Sequence, residues 1–422
     1  MKSSTRDRSR RVVVTGLGLA TPLGLDEGEV WKRLLAGKTG IGPLTAFDLE
    51  AWVSPYKVKI AAQVDSEAIQ QGLSSMGRRP YDRTLDLAVV AADRALRQAD
   101  VIAGEPPYEP REVPVVVGTA AGSAQSVFEA AQRFATKGPK GLLPSSVPRV
   151  MANSLSANLS MQFKLTGANY TVISACTSAA NAIGDCYRRI VHGEAEMALT
   201  GGAEGGLDPF YFGVWNNLGV LSTNPDPALA CRPFDVERQG TVLGEGAAML
   251  VLESLESAER RGATVRAEIL GYGESSDAGH ITGPSSEGQA RAIAAALRSA
   301  GIEAGEVGYV NAHGTATASN DPTECAAIRL ALGDAADEIL VGSNKSYFGH
   351  TLGASGGLEA AVTVMALEHG EAPPNFNLFN PDPECDVRLV GRKAEPLPRR
   401  VALKNSFGFG GGNAVLALAA AE

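Results

Sequence analysis

The fold of this chain is decided by a strand, a turn and a helix in the stretch Tyr170–Ala180, which reads YTVISACTSAA. An apolar run leads into small residues, and helix formers follow. The turn places Cys176 at a predicted helix N-terminus, where the helix dipole and free N–H groups favour a thiolate and can hold an oxyanion. The stretch predicts an α/β fold and a candidate nucleophile, although a lone cysteine is more often buried and inert.

Strands and helices alternate along the rest of the chain. Apolar runs predict strands at Arg11–Thr15, Val113–Gly118, Tyr170–Ser174, Met197–Gly201, Ala247–Glu253, Ala267–Gly271, Val307–Asn311, Ile339–Gly342, Arg400–Asn405 and Ala414–Leu418. Apolar residues at three- and four-residue spacing predict helices at Arg83–Ala99, Ala179–Val191, Glu287–Ala300, Pro322–Ala331 and Leu358–His369. This alternation is typical of parallel sheets covered by helices, with sites at the carboxyl ends of the strands.

The length of 422 residues allows either one large α/β unit or two fused ones. An internal echo favours two, because Thr15–Gly18 closes one strand much as Gly271–Gly273 closes another. The division would then be into related halves at residues 1–260 and 261–422, and one large unit fits the sequence equally well. The first carries the candidate nucleophile, and the second carries two histidines in strand-end loops.

Composition limits the classes of function. The net charge of −9 argues against binding nucleic acid, and no apolar run is long enough to predict a membrane span. The polar, basic N-terminus does not read as a signal peptide. Five dispersed cysteines without a C-x-x-C pair predict neither a disulfide framework nor a zinc site. A reducing cytoplasm fits this pattern best.

Only five histidines occur, and His313 and His350 both lie in small-residue loops after predicted strands. Either alone is more often structural, but the pair beside a cysteine indicates catalysis. A protease-like dyad would use only one histidine. The sequence does not indicate a metal site, because the two histidines lie 37 residues apart (350 − 313) and neither belongs to an H-x-x-x-H motif or has an adjacent cysteine ligand. Thioester condensation uses the whole set: a cysteine carries the acyl group, and two neutral imidazoles stabilise an enolate.

Five motifs in order carry a family resemblance. They are Ala230–Gly246, Asn311–Thr317 (NAHGTAT), Asn320–Glu324 (NDPTE), Lys345–His350 (KSYFGH) and Asn405–Gly411 (NSFGFGG). Together they resemble the β-ketoacyl-[acyl-carrier-protein] synthases, nearest to the synthase II type and to the ketosynthases of type II polyketide systems. The resemblance implies a thiolase-like fold: two related halves, each with a five-stranded mixed sheet, stacked as αβαβα layers. It also implies a homodimer that performs decarboxylative condensation.

The resemblance implies roles for the catalytic residues. Cys176 would accept an acyl chain from acyl carrier protein or coenzyme A, and His313 and His350 would bind the malonyl thioester carbonyl. Phe409 matches the gating aromatic residue, and its N–H and that of Cys176 would form the oxyanion hole.

Lys345 and Glu359 match the charged pair that supports the second histidine. From the residues alone, Lys345 reads equally well as a surface lysine, and Glu359 reads as a solvated helix charge.

Several residues are predicted to contact substrate. Hydroxyls at Thr315, Thr317 and Thr282 suit the amides of a 4'-phosphopantetheine arm. The resemblance implies substrates carried on that arm of acyl carrier protein, with no tightly bound cofactor or metal. Ala121 and Ser146 fall where larger apolar side chains often line the acyl pocket, the second reaching across the dimer. They predict a pocket for a long or bulky acyl chain, from which Trp215 takes volume back.

Fatty-acid elongation and a specialised polyketide or polyene pathway both fit these residues. A non-catalytic chain-length subunit is disfavoured by the cysteine and both histidines, and a degradative thiolase by the lack of a second cysteine near the C-terminus. A heterodimer with a chain-length-factor subunit is the alternative to a homodimer. Arg78, Arg79 and Arg83 are candidates for the acyl carrier protein contact, and a solvated helix start explains them as well.

Overall fold

Ten strands form one mixed sheet in the computed structural model, which describes residues 10–102 and 112–421. The strands are β1 Val12–Ala20, β2 Ile41–Pro43, β3 Ile60–Ala62, β4 Val115–Gly118, β5 Asn169–Val172, β6 Met197–Glu204, β7 Gly246–Ser254, β8 Ala267–Ser276, β9 Tyr309–Asn311, β10 Leu340–Gly342, β11 Glu371–Ala372, β12 Glu395–Pro396, β13 Val401–Phe407 and β14 Gly412–Ala420. The large sheet has the order β10-β9-β13-β14-β8-β1-β7-β6-β4-β5, while β2 pairs with β3 and β11 with β12. All ten predicted strands lie in the large sheet, and the two short pairs were not predicted.

The helices cover both halves of this sheet. They are α1 Glu27–Leu35, α2 Ser66–Ser75, α3 Arg83–Gln98, α4 Ala124–Lys137, α5 Ser146–Val150, α6 Ser154–Phe163, α7 Ser178–Val191, α8 Pro209–Leu218, α9 Pro227–Ala230, α10 Leu255–Arg261, α11 Ser286–Ala300, α12 Asn320–Leu332, α13 Lys345–Phe348 and α14 Ser355–His369. In the described part of the chain, no helix is long and apolar enough to cross a membrane.

The same arrangement of five strands occurs twice. The order β1-β7-β6-β4-β5 has two antiparallel pairs followed by two parallel pairs, and β8-β14-β13-β9-β10 repeats it. Antiparallel pairing of β1 with β8 joins the two sets into one sheet. The predicted α/β fold with five-stranded mixed sheets is confirmed. The alternation of strands and helices alone indicated parallel sheets, and the antiparallel pairs depart from that indication. Strands buried on both faces are apolar throughout in either direction, so their sequences do not reveal it.

Helices α7 and α14 lie between the two halves, and each contacts strands of both. On the outer faces, α3 packs on β1 and β7, while α11 packs on β8 and β14. This produces the predicted αβαβα layers. Every residue of α14 from Ser355 to Leu367 is buried, as a central helix requires. Gly356 allows the close approach of the two central helices, because a Cβ there would lie 2.6 Å from the backbone nitrogen of Ala180.

Candidate active site

Cys176 lies where a strand end meets a helix start. A 3-10 turn, Ala175–Thr177, follows β5 and leads directly into α7. Ala175 holds a left-handed φ of 54°, a costly conformation for a residue with a Cβ. Cys176 is only 6% exposed, so its thiol lies inside the protein beneath the surface of this turn.

Both histidines of the sequence prediction converge on this thiol. His350 Nε2 lies 3.1 Å from Cys176 Sγ, and the ring centroids of His313 and His350 lie 5.3 Å apart, edge to face. Residues far apart in sequence therefore meet in one buried cluster, because Cys176 follows β5 of one half and His313 follows β9 of the other.

The hydrogen bonds to the Nδ1 atoms assign the tautomers of both imidazoles. The amide of Leu352 donates to Nδ1 of His350 at 3.3 Å, and Ser355 Oγ lies 2.9 Å from the same atom. Lys345 Nζ, which can only donate, lies 3.4 Å from Nδ1 of His313. Each Nδ1 is thus an acceptor, so each Nε2 carries the proton and faces the site as a donor.

This donor arrangement also bears on metal binding. Among the described residues, Cys176, His313 and His350 form the one group of three or more His, Cys, Asp or Glu side chains whose ligand atoms all lie within 4.8 Å of one another. A metal requires an unprotonated nitrogen from each imidazole. The Nε2–H tautomers instead suit a developing oxyanion or enolate.

The Lys345–Glu359 pair supports the first histidine rather than the second, which corrects the expectation from the sequence. Lys345 Nζ lies 2.5 Å from Glu359 Oε1 and donates to the carbonyl of His313 at 2.5 Å. The reason is topological: Lys345 and His313 follow β10 and β9, which are parallel neighbours. Lys345 is fully buried and Glu359 only 3% exposed, so neither is the solvated charge that its sequence context allowed.

Burial and nearby cations keep both histidines neutral. Burial, followed by the charge of Lys345, lowers the pKa of His313 and of His350 well below the usual 6.5. Lys404, which sequence analysis did not single out, lowers both pKa values further. Neutral imidazoles with protonated Nε2 atoms are the form that can donate to a carbonyl oxygen without first losing a proton.

The thiol differs from the sequence expectation of a stabilised thiolate. Burial raises the pKa of Cys176 from 9.0 to about 11, although Lys345 and a hydrogen bond from the Phe409 amide both lower it. The resting group is therefore a neutral thiol. The donors around it stabilise negative charge only when the reaction creates that charge.

The residue whose amide contacts the thiol, Phe409, belongs to an aromatic pair. Phe409, 38% exposed, follows β13, and its ring stacks on that of Trp215 with centroids 5.8 Å apart and planes 13° apart. Tyr211 packs edge-on against Trp215. Trp215, predicted only as a residue that reduces pocket volume, thus also contacts the candidate gate.

The predicted substrate hydroxyls are placed differently from one another. Thr315 is buried, and its hydroxyl lies 2.9 Å from that of half-buried Thr317. Thr282 is exposed, and its amide donates to His280 Nδ1 at 3.2 Å.

Two buried carboxylates order the loops of the site, and sequence analysis gave neither a role. Glu324 accepts the amides of His313 and Gly314, both at 2.8 Å. Glu204 accepts the amide of Ala121 at 3.1 Å and that of Gly353 at 3.1 Å, so it joins the predicted pocket loop to the loop after His350. Burial raises the pKa of Glu204 to about 7. A signal was present for Glu204, an acidic residue inside an apolar and small-residue segment, whereas Glu324 follows the polar residues Asn320 and Asp321.

The remaining predicted residues lie away from the thiol or are already paired. Ser146 begins α5 and lines a small surface cavity with Arg149. Arg83 is ion-paired with Glu245, and Arg78 donates to Gln162 at 2.7 Å. Arg79 is exposed, which leaves it the most accessible of the three arginines proposed for the carrier contact.

Comparison with known proteins assigns the family. The model of the β-ketoacyl synthase N-terminal domain matches residues 9–258, and that of the β-ketoacyl synthase C-terminal domain matches residues 266–379. A Synechocystis protein named 3-oxoacyl-[acyl-carrier-protein] synthase 2 is 41% identical over 411 residues, covering 97% of each chain. A Staphylococcus aureus protein of the same name is 38% identical, covering 97% of this chain and 98% of that protein.

Solved structures agree with this result. The ishigamide ketosynthase/chain length factor superposes with a TM-score of 0.89 at 35% identity, covering 98% of this chain and 100% of that one. A type II polyketide ketosynthase solved with its acyl-carrier protein (AntDE:AntF) gives a TM-score of 0.88 at 30% identity, with the same coverage. With its two halves, its buried Cys-His-His cluster and these similarities, the chain belongs to the β-ketoacyl synthase family of condensing acyltransferases.

Proposed function

We propose that this chain condenses an acyl thioester, carried on Cys176, with malonyl-acyl carrier protein to give a β-ketoacyl-acyl carrier protein in fatty-acid elongation. The observation that carries the proposal is the pair of imidazole Nε2–H groups directed at the space beside one thiol. Two neutral donors at this place suit a thioester oxygen that gains charge and then loses it. The names of the curated relatives favour the same reaction.

The reaction divides into two steps at this site. In the first, Cys176 Sγ attacks the incoming acyl thioester, its proton leaves with the carrier thiol, and the amides of Cys176 and Phe409 hold the oxyanion. In the second, the bond between the malonyl carboxyl and the α-carbon breaks and carbon dioxide leaves. His313 and His350 hold the resulting enolate oxygen. The α-carbon then attacks the acyl carbonyl, and the Cys176 thiolate departs.

Substrates enter on the 4'-phosphopantetheine arm of acyl carrier protein in this proposal, and no tightly bound cofactor takes part. The hydroxyls of Thr315 and Thr317 meet the arm, and Thr282 lies farther out in an exposed loop. Arg79 is the best-placed of the three arginines for the carrier contact. The cytoplasm is the proposed location, and five free, buried cysteines fit a reducing compartment.

The second candidate is the same chemistry in a specialised type II polyketide or polyene pathway. The structural likeness to the ishigamide ketosynthase/chain length factor favours it. Small side chains at Ala121 and Ser146 support a pocket for a long or bulky acyl chain in either pathway.

A homodimer is the proposed assembly. Exposed apolar side chains lie on adjoining elements beside the edge strand β5; they include Val127, Phe134, Val147, Val150, Met161, Ile173, Phe210 and Val214. Single exposed apolar residues are common on protein surfaces, but a contiguous apolar surface of this kind indicates a site of protein–protein contact. Ser146 lies within it, as a residue that reaches a second subunit's pocket must. A heterodimer with a chain-length-factor subunit is the alternative, and sedimentation of the chain alone, then with such a subunit, distinguishes them.

One experiment tests the proposed reaction. The protein is incubated with malonyl- and acyl-acyl carrier proteins from each type of pathway, and the products are identified by mass. We expect a β-ketoacyl product with the wild type and with Cys231→Ser, and none with Cys176→Ala. Product formation by Cys176→Ala at the wild-type rate would overturn the mechanism, and a product with only one carrier set would identify the pathway.

A further inference from the structure

A fully buried lysine that the reaction above does not use lies behind the two histidines. Lys404, in the middle of β13, has its Nζ 2.7 Å from Glu359 Oε2. The same ammonium donates to the carbonyl of Asn405 at 2.5 Å and to the hydroxyl of Ser406. Burial alone favours the uncharged amine, and burial does lower the pKa of Lys404, while Glu359 opposes it. Three oxygen atoms around Nζ are the environment of a held ammonium group.

Glu359 therefore lies between two lysines. Its Oε1 meets Lys345 Nζ at 2.5 Å, and its Oε2 meets Lys404 Nζ. Among these three groups, one carboxylate balances only one of two ammonium groups, and the next carboxylate that acts on Lys404 is the buried Glu324. Register explains why the second lysine reaches the site: Lys404 pairs with Asn311 of the parallel strand β9, two residues before His313.

We propose that Lys404 is a positioning residue for the condensation site: it occupies one oxygen of Glu359, directs Lys345 to His313 through the other, and adds a second positive charge behind both imidazoles. The inference rests on the proposed function for its consequence, which is that both imidazoles stay neutral donors. Without Lys404, Glu359 would neutralise Lys345 completely, and the pKa of each histidine would rise.

Several charged and titratable groups face these imidazoles and influence the pKa values of both histidines. They are Lys345, Lys404, Glu359, Glu324, Glu204, Cys176 and the other histidine of the pair. Glu324 and Glu204 hold backbone amides of the two histidine loops, and Lys404 acts through Glu359. Replacing Lys404 alone thus changes one charge and removes no hydrogen bond that Lys404 itself makes to a histidine.

Histidine NMR measures this effect directly, because the chain contains only five imidazoles. The wild type, Lys404→Met and the exposed control Lys59→Met are labelled with nitrogen-15 in histidine and titrated. Loss of single signals in His313→Asn and His350→Asn assigns the two site residues. We expect neutral Nε2–H tautomers in the wild type and in Lys59→Met at pH values well below 6.5. In Lys404→Met, both pKa values should rise by about one pH unit, and the acid limb of the condensation rate should move with them.

The outcomes separate this inference from the proposed function. Unchanged histidine titrations in folded Lys404→Met overturn it, as do wild-type imidazoles of His313 and His350 that titrate near 6.5. If Lys404→Met does not fold, Lys404→Gln, which retains hydrogen bonding to Asn405, must show the same rise. A wild-type protein that makes no condensation product, with the titration shift still present, overturns the proposed function alone.

Discussion

The raised pKa of Cys176 predicts how this thiol reacts as pH changes. Burial moves the pKa from 9.0 to about 11, so at pH 7 about one thiol in ten thousand is ionised, against about one in a hundred without that shift. The difference corresponds to about 3 kcal/mol that disfavours the thiolate. The thiolate is the reactive form, so the rate of alkylation should rise about tenfold for each pH unit from about pH 7 to about pH 10, without a plateau.

The assay is alkylation by iodoacetamide, followed by mass spectrometry of the peptide that contains Cys176. The other four cysteines report the background, because they are at most 3% exposed and burial raises the pKa of Cys186 and of Cys231 to about 12. Lys345→Met should slow the reaction of Cys176 severalfold at each pH, since the charge of Lys345 lowers this pKa. The exposed control Lys59→Met should leave the rate unchanged. A rate that levels off below about pH 8 would show a resting thiolate and refute the reasoning.

Three further predictions concern packing, gating and pH. Gly356→Ala should lower the free energy of unfolding, measured by urea denaturation, by about 1–3 kcal/mol, because the added Cβ would lie 2.6 Å from a backbone atom. The control Gly305→Ala should have no such effect, because a Cβ there has no neighbour within 4 Å. Trp215→Ala removes the ring that stacks on Phe409, so acylation by long chains should become faster relative to short ones in competition assays. Burial raises the folded pKa of Glu204 from 4.5 to about 7. The protonated carboxyl group therefore contributes its full stability below about pH 4.5. This contribution is lost as pH rises to about 7, which lowers the free energy of unfolding by about 3 kcal/mol. Glu204→Gln should flatten that part of the pH dependence of unfolding, and an unchanged slope would contradict it.

The positions of the strands could be predicted from the sequence, because strands that are buried on both faces appear as continuous apolar runs. The candidate trio was readable for a related reason: Cys176 and His313 follow strands among small residues, and His350 follows β10 after the short helix α13. The support of the histidines was not readable. Lys345 is five residues from His350 but contacts His313, and only the parallel pairing of β9 with β10 determines that. In the sequence, Lys404 resembles any other strand residue. Only the pairing of β13 with β9, which places Lys404 beside Asn311, brings it near the histidines.

The pKa of Cys176 shifts in the direction opposite to the one that the local sequence predicts. The strand-turn-helix pattern correctly predicts a thiol at the start of α7, where the helix dipole contributes up to about 1 kcal/mol in favour of the thiolate. Burial opposes it with a larger effect, since the net pKa still rises to about 11. That burial comes from the second half of the chain, which brings His350, Phe409 and the loops after β9 and β10 over the turn. The protonation state of this thiol therefore depends on contacts that no short stretch of sequence contains, and the same burial makes each nearby donor stronger when negative charge does form.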